Sequence, residues 1–115
     1  MQDLRLQGTW RSDARRTARE IDAWNDIPAQ RKSKLKKLFG KLQLRFTRTL
    51  CHTTLNGSTW ARRYKVVAKD RVSLAILIVD QTERDPMISH IHFEGTRFWI
   101  KIGNGKLREF FRRVA

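Results

Sequence analysis

The 115-residue chain has little of what staples, breaks or bends a backbone: one Cys, two Pro and six Gly. A lone Cys51 excludes an intramolecular disulfide, and no Cys/His spacing matches a structural zinc site. An isolated cysteine of this kind is ordinarily a small core side chain. That usage fits a reducing compartment, so a cytoplasmic location is expected. Long apolar runs are missing too. The longest, Leu74 to Val79, is too short to cross a bilayer, and the opening Met-Gln-Asp-Leu-Arg lacks the apolar stretch of a secretion signal. No transmembrane segment is therefore expected. Catalytic signatures are absent as well: there is no Gly-x-Ser-x-Gly and no phosphate-cradling glycine loop. A non-enzymatic role without a cofactor is the expectation, on one globular domain spanning 1–115.

Acid is the next shortage. Met1 to Asp26 balances five bases with five acids, but from Ile27 to Lys69 there are twelve bases and no acid, while Asp70 to Ala115 sets eight bases against six acids. Most of the net charge of +14 therefore sits in the middle segment. A patch of that sign attracts phosphate, anionic lipid or an acidic partner through a field that salt screens within about 10 Å at 0.1 M.

Beyond Gly40 the pattern is one of strands separated by turns. Leu42, Leu44, Phe46 and Leu50 alternate with Gln43, Arg45, Thr47 and Thr49, the period of a strand with one buried face. Asn56-Gly57 is a strong hairpin signal, because both central residues of a type I′ turn need positive φ. It folds Trp60 to Ala68 back on that strand. Lys69-Asp70 leads into Val72 to Val79, apolar on both faces. After the polar stretch Asp80 to Pro86, Met87 to Glu94 resumes the alternation, and Gly95 turns it into Arg97 to Ile102. Asn104-Gly105 is a second type I′ candidate before Leu107 to Val114. With Leu6 to Ser12 the reading predicts about seven antiparallel strands.

Helical periodicity is confined to about 13–40. Ser12 or Asp13 is a suitable N-cap for a helix with Thr17, Ile21 and Trp24 on one face, Pro28 opens a second helix, and Gly40 ends it. Leu35, Leu38 and Phe39 form the apolar stripe of that second helix, which leaves Arg31, Lys32, Lys34, Lys36 and Lys37 to face water as an anion patch. A strand, a helix pair and an antiparallel meander ask for a closed up-and-down barrel, since closure removes the exposed edges.

Gly8-Thr9-Trp10 on the first strand, the meander and a basic last strand resemble the lipocalin-like, or calycin, barrels. In those proteins a Gly-x-Trp motif packs its indole beneath a cation from the last strand, and the resemblance implies Arg108 or Arg112 as that cation. The helix pair between strands one and two is similar to that of the intracellular fatty-acid-binding branch, where it lids the open end. Closer still are short bacterial lipocalin-like domains of unassigned function, which share Gly-Thr-Trp-x-Ser-Asp (Gly8 to Asp13), Ile-His-Phe-Glu-Gly (Ile91 to Gly95) and Arg-Glu-aromatic-Phe (Arg108 to Phe111). The fatty-acid-binding branch fixes a carboxylate with Arg-x-Tyr on its last strand. Here Phe110 follows Arg108, and the hydroxyl is missing. The resemblance implies a binding module for a small apolar or anionic molecule at the barrel mouth, with Arg45, Tyr64, Arg108 and Arg112 as candidate contacts.

Other readings remain open beside it. Leu44, Phe46, Trp60, Tyr64, Ile76, Phe93, Phe98 and Phe111 are enough to fill so small a barrel, leaving an interaction or structural domain with no ligand. The basic 27–69 segment suits an electrostatic binder of nucleic acid or anionic membrane, through the second helix and Arg45, Arg48, Arg62 and Arg63. His90, His92 and Glu94 share one face of a strand and are candidate metal ligands, but their side chains lie roughly 7 Å apart, and the competing reading is a solvated outer face with Ile91 and Phe93 inward. A cavity above about 300 Å³ holding a buried unpaired Arg favours the ligand-binding reading, and a filled interior removes it.

Overall fold

The computed structural model describes residues 3–79, 87–102 and 107–114. In chain order they form β1 (Gly8–Ser12), α1 (Ala14–Asp22), α2 (Ala29–Lys36), β2 (Gln43–Phe46), β3 (Leu50–Leu55), β4 (Ser58–Lys69), β5 (Ser73–Val79), β6 (Met87–Glu94), β7 (Arg97–Ile102) and β8 (Leu107–Val114). Each strand pairs antiparallel with the next, and β1 pairs with β8 to close the barrel. The mainly β, up-and-down barrel with two helices after strand one is the expected architecture. The strand count is eight, not about seven.

The extra strand comes from the stretch expected to run unbroken from Leu42 to Leu50. It bends at Thr47, whose N–H donates to the Leu50 carbonyl at 2.9 Å and whose Oγ1 accepts the Leu50 N–H at 3.1 Å. A threonine hydroxyl here supplies the turn bond that glycine, proline or asparagine usually signals. The phase of the alternation changes across the bend. Leu44 and Phe46 face inward, opposite Thr53 and Cys51, while Leu50 faces outward beside Arg63. The next turn is as expected, with Asn56 at φ 51 and Gly57 at φ 84. Asn104-Gly105 and Asp80 to Pro86 lie outside the described residues.

The two ends of the barrel differ. At one end Leu6, Trp10, Phe46, Tyr64, Phe98 and Phe111 make a dense core. Leu6, fully buried, accepts the Trp10 indole N–H at 2.8 Å, so the segment before β1 seals this end. Arg5 ties that segment down, pairing with Asp3 at 2.8 Å and donating to the Arg71 carbonyl. The opposite end carries α1, α2, the β3–β4 turn and the starts of β6 and β8.

The helix α1 continues directly from β1. Asp13 is its N-cap, accepting the Arg16 N–H at 3.0 Å, and Thr17 and Ile21 are buried. Before Phe111, β8 has no partner in β1, and α1 takes that place: Thr17 Oγ1 accepts the Phe110 N–H at 3.0 Å. The second helix departs from expectation. It packs on α1 and on no strand, buries no residue, and ends at Lys36, so that Leu38 and Phe39 fall beyond it and Leu38 is 67% exposed. Only Leu35 of the apolar stripe lies within the helix, too little to hold it on the barrel. Among the described residues no helix is long and apolar enough to cross a membrane.

Candidate functional site: a cavity at the helix end of the barrel

Strand alternation turns Leu44 on β2, Cys51 and Thr53 on β3, Trp60 and Arg62 on β4, Ile76 and Ile78 on β5, and Phe98 and Ile100 on β7 toward the barrel axis. The dense core fills the sealed end only. Toward the helix end these side chains surround a cavity of ≈ 700 Å³, within the range of small-molecule sites. Eight strands give an interior just wide enough for this. Trp60, 42% exposed, stands at its mouth with Met87 and Ile88, which are about half exposed.

The wall is incomplete between β6 and β7. Their pairing is confined to Glu94↔Arg97, Phe93↔Phe98 and His92↔Trp99; from Ile91 back to Met87 no partner on β7 is present. The cavity reaches outward through this gap past His90, His92 and Lys101.

Inside it, Arg62 is the notable group. It sits opposite Cys51, and its Nε is buried with no hydrogen-bond partner among the described residues. No Asp or Glu among those residues lines the cavity. Leaving such a donor dry costs about 1–3 kcal/mol or more for a charged group, so the site favours an occupant that accepts from it. Arg62 had been expected on an outward basic face with Arg45, Arg48 and Arg63. Parity along β4 explains the difference, because Arg62 shares the inward face with Trp60 and Tyr64, whereas Arg63 points out. Cys51 beside it is buried, and burial raises its thiol pKa above the ordinary value.

The expected contact residues lie elsewhere. Arg45 is exposed on the outer face of β2. Tyr64 faces inward but within the sealed end, its hydroxyl donating to the Thr47 carbonyl, and burial raises its pKa. Arg108 is outward, forked onto Glu20 of α1 at 2.6 and 2.8 Å and lying over the Trp99 and Phe110 rings. The Arg108 guanidinium holds the Glu20 carboxyl below its usual range. Arg112 is outward as well, opposite Arg11 and Arg97. The cation over Trp10 is Arg113, at 4.3 Å from the ring centroid, in place of the expected Arg108 or Arg112. Parity decides this: Trp10 pairs with Arg113 on the inward face, and residues 108 and 112 are on the opposite one.

His90, His92 and Glu94 alternate to the outer face of β6, as the competing reading had them. His92 stacks on Trp99 with centroids 4.0 Å apart, Glu94 lies opposite Arg97, and among the described residues no group of three or more His, Cys, Asp or Glu is placed to hold a metal ion. Burial, with the charges of His90 and Lys101, lowers the His92 pKa. Of the anion patch, Lys32 donates to the Asp22 carbonyl and Lys36 pairs with the Asp22 carboxylate, while Arg31, Lys34 and Lys37 are exposed.

One buried carboxyl lies inside the barrel but outside the cavity lining. Glu109 faces inward opposite Ile100, and its Oε2 accepts the Ser12 hydroxyl at 2.8 Å. Burial pushes its pKa above the usual range, with the Ser12 bond opposing.

No protein-family model, curated protein or solved structure matches this chain.

Proposed function

We propose that this barrel is a lipocalin-like, non-enzymatic binding module whose cavity takes a small apolar molecule carrying one anionic group. The observation that carries the reading is the buried Arg62 Nε, without a partner among the described residues, in a mainly apolar cavity whose described lining has no carboxylate. The anionic head accepts from Arg62, and the apolar body lies along Leu44, Ile76, Ile78, Ile88 and Ile100. A guanidinium suits this role because it stays charged when desolvated and offers a planar fork to a carboxylate or sulfonate. Entry at the helix end, between β6 and β7, keeps the sealed end intact.

Two fluorescent probes of similar shape test this: 1-anilinonaphthalene-8-sulfonate, an apolar anion, and N-phenyl-1-naphthylamine, its neutral counterpart. Both should bind at one site per chain. Arg62→Met should weaken the anion by about 10- to 100-fold, the worth of a hydrogen bond to a charged group, while leaving the neutral probe unchanged. Equal affinity of the anion for both proteins removes Arg62 from the site, and absence of binding by either probe removes the cavity reading. Native mass spectrometry of the purified protein adds a direct search for a retained molecule.

A second reading, a surface binder of nucleic acid or anionic membrane, is favoured by the position of α2. This helix projects from the barrel on α1 alone, with Arg31, Lys34 and Lys37 in water.

A further inference from the structure

We propose that a second anion site lies on the outside of the barrel, where the end of β1, the start of α1, and β7 and β8 enclose a shallow cleft, and that it takes a phosphate group. The cleft, of ≈ 560 Å³, is lined by Arg11, Arg15, Arg97 and Arg112, with Gly40 beside them and Asp13 as the one carboxylate among its described residues.

Three of these arginines form a row across adjacent strands. Arg112 on β8 stands directly opposite Arg11 on β1 and directly opposite Arg97 on β7. Like charges in that position destabilise a sheet. Some guanidiniums elsewhere are matched by carboxylates: Arg5 by Asp3, Arg108 and Arg16 by Glu20. Here Asp13 is committed to Arg97, at 2.8 Å. Burial raises the Asp13 pKa, but the Arg16 N–H, the Arg97 bond and the charges of Arg97 and Arg112 outweigh it and hold the carboxyl below its usual value. Arg112 has no hydrogen bond or ion pair among the described residues, and Arg11 makes only a long contact, Nε to the Gly40 carbonyl at 3.5 Å.

The row is also held in place. Ser12 Oγ accepts the Gly40 N–H at 2.9 Å and donates to buried Glu109, fixing the end of β1 against β8 and the segment after α2. Adjacent strands are about 4.8 Å apart, so one tetrahedral anion reaches both Arg11 and Arg112. Guanidinium pairs of this kind prefer phosphate oxygens, which they grip two at a time. The first turn of α1 is not what carries the site, since Asp13 already occupies its cap. The cleft is separate from the barrel cavity and shares no lining residue with it.

Calorimetric titration at constant ionic strength tests the site with inorganic phosphate and with phenyl phosphate, a free anion and a monoester. Saturable one-to-one binding is expected for at least one of them, and the tighter of the two identifies the source of the phosphate group. Arg112→Gln should weaken it by about tenfold or more while leaving binding of the neutral naphthylamine probe in the barrel unchanged. In phosphate-free buffer the same variant should melt no lower than wild type, because it removes the like-charged row, and phosphate should raise the melting temperature of wild type but not of the variant. Lack of saturable binding by both phosphates, or equal affinity in Arg112→Gln, overturns the proposal.

Discussion

The Gly8, Trp10 and Arg113 trio shows how a short motif is set by contact geometry. Trp10, 3% exposed, packs edge-on to Phe98 at 4.6 Å, with the Arg113 guanidinium over its other side. That guanidinium also donates to the Gln7 and Arg5 carbonyls, at 2.8 Å each, and so binds the last strand to the segment that seals the barrel. Gly8 makes the approach possible: a Cβ there would sit 2.5 Å from Arg113 Nη1, on a backbone with φ +123°. Trp10→Ala should therefore cost about 3–5 kcal/mol in urea unfolding, chiefly through the cavity it leaves. Gly8→Ala should cost about 1–3 kcal/mol. Part of the second loss is the clash with Arg113, so adding Arg113→Ala to Gly8→Ala should cost less than the two single losses together. Strict additivity would leave the backbone angle as the whole reason for glycine.

At the scale of elements, α1 acts as a substitute strand. It lies along β8 where β1 has ended, and Thr17 supplies the acceptor that the missing strand would have given the buried Phe110 N–H. Thr17→Val keeps the shape and deletes that acceptor, so it should lower stability by about 1–3 kcal/mol by thermal or urea unfolding; an unchanged protein would mean that water or another group replaces the bond. Much of this level was legible in the sequence. Asp13 as one of two candidate caps, Thr17 and Ile21 on the buried face, the Asn56-Gly57 hairpin and the inward Ile91 and Phe93 of β6 all follow from local rules. The bend at Thr47 was not, because no turn residue marks it, and only the change of phase between Phe46 and Cys51 betrays it. Arg62 was legible from its own strand, since it shares the parity of Trp60 and Tyr64, but its charge groups it with Arg63 on a basic outer face. The arginine over Trp10 escaped for a similar reason, since motif resemblance names a strand but not which parity of it faces the indole. The outer cleft was out of reach altogether: Arg11, Arg97 and Arg112 are far apart in the chain, and only the closure of β1 on β8 brings them into one row.

For the whole molecule the question is what the +14 charge does. The side chains of the acid-free 27–69 segment do not all face one way. Arg62 turns into the cavity, Lys36 is matched by Asp22, and Arg45 and Arg63 lie on the outer faces of β2 and β4, away from α2. What remains as a unit is α2 and its C-terminal turn, where Arg31, Lys34 and Lys37 are exposed on a helix that touches only α1. If this unit meets a polyanion, binding is driven by counterion release, and each neutralised phosphate adds about 0.7–0.9 to the slope of log affinity against log salt. Three contacts therefore predict a slope of about 2–3 in magnitude for a single-stranded oligonucleotide, with steep salt loss also for vesicles rich in anionic lipid. Replacing Arg31, Lys34 and Lys37 together by Gln should flatten that slope to near zero while the barrel still takes the neutral naphthylamine probe, because no residue of α2 lines the cavity. A slope unchanged by the triple substitution would assign polyanion binding to another surface, the Arg11–Arg112 row first among them. Absence of binding to both oligonucleotide and vesicle at low salt would leave the charge of α2 as solubilisation.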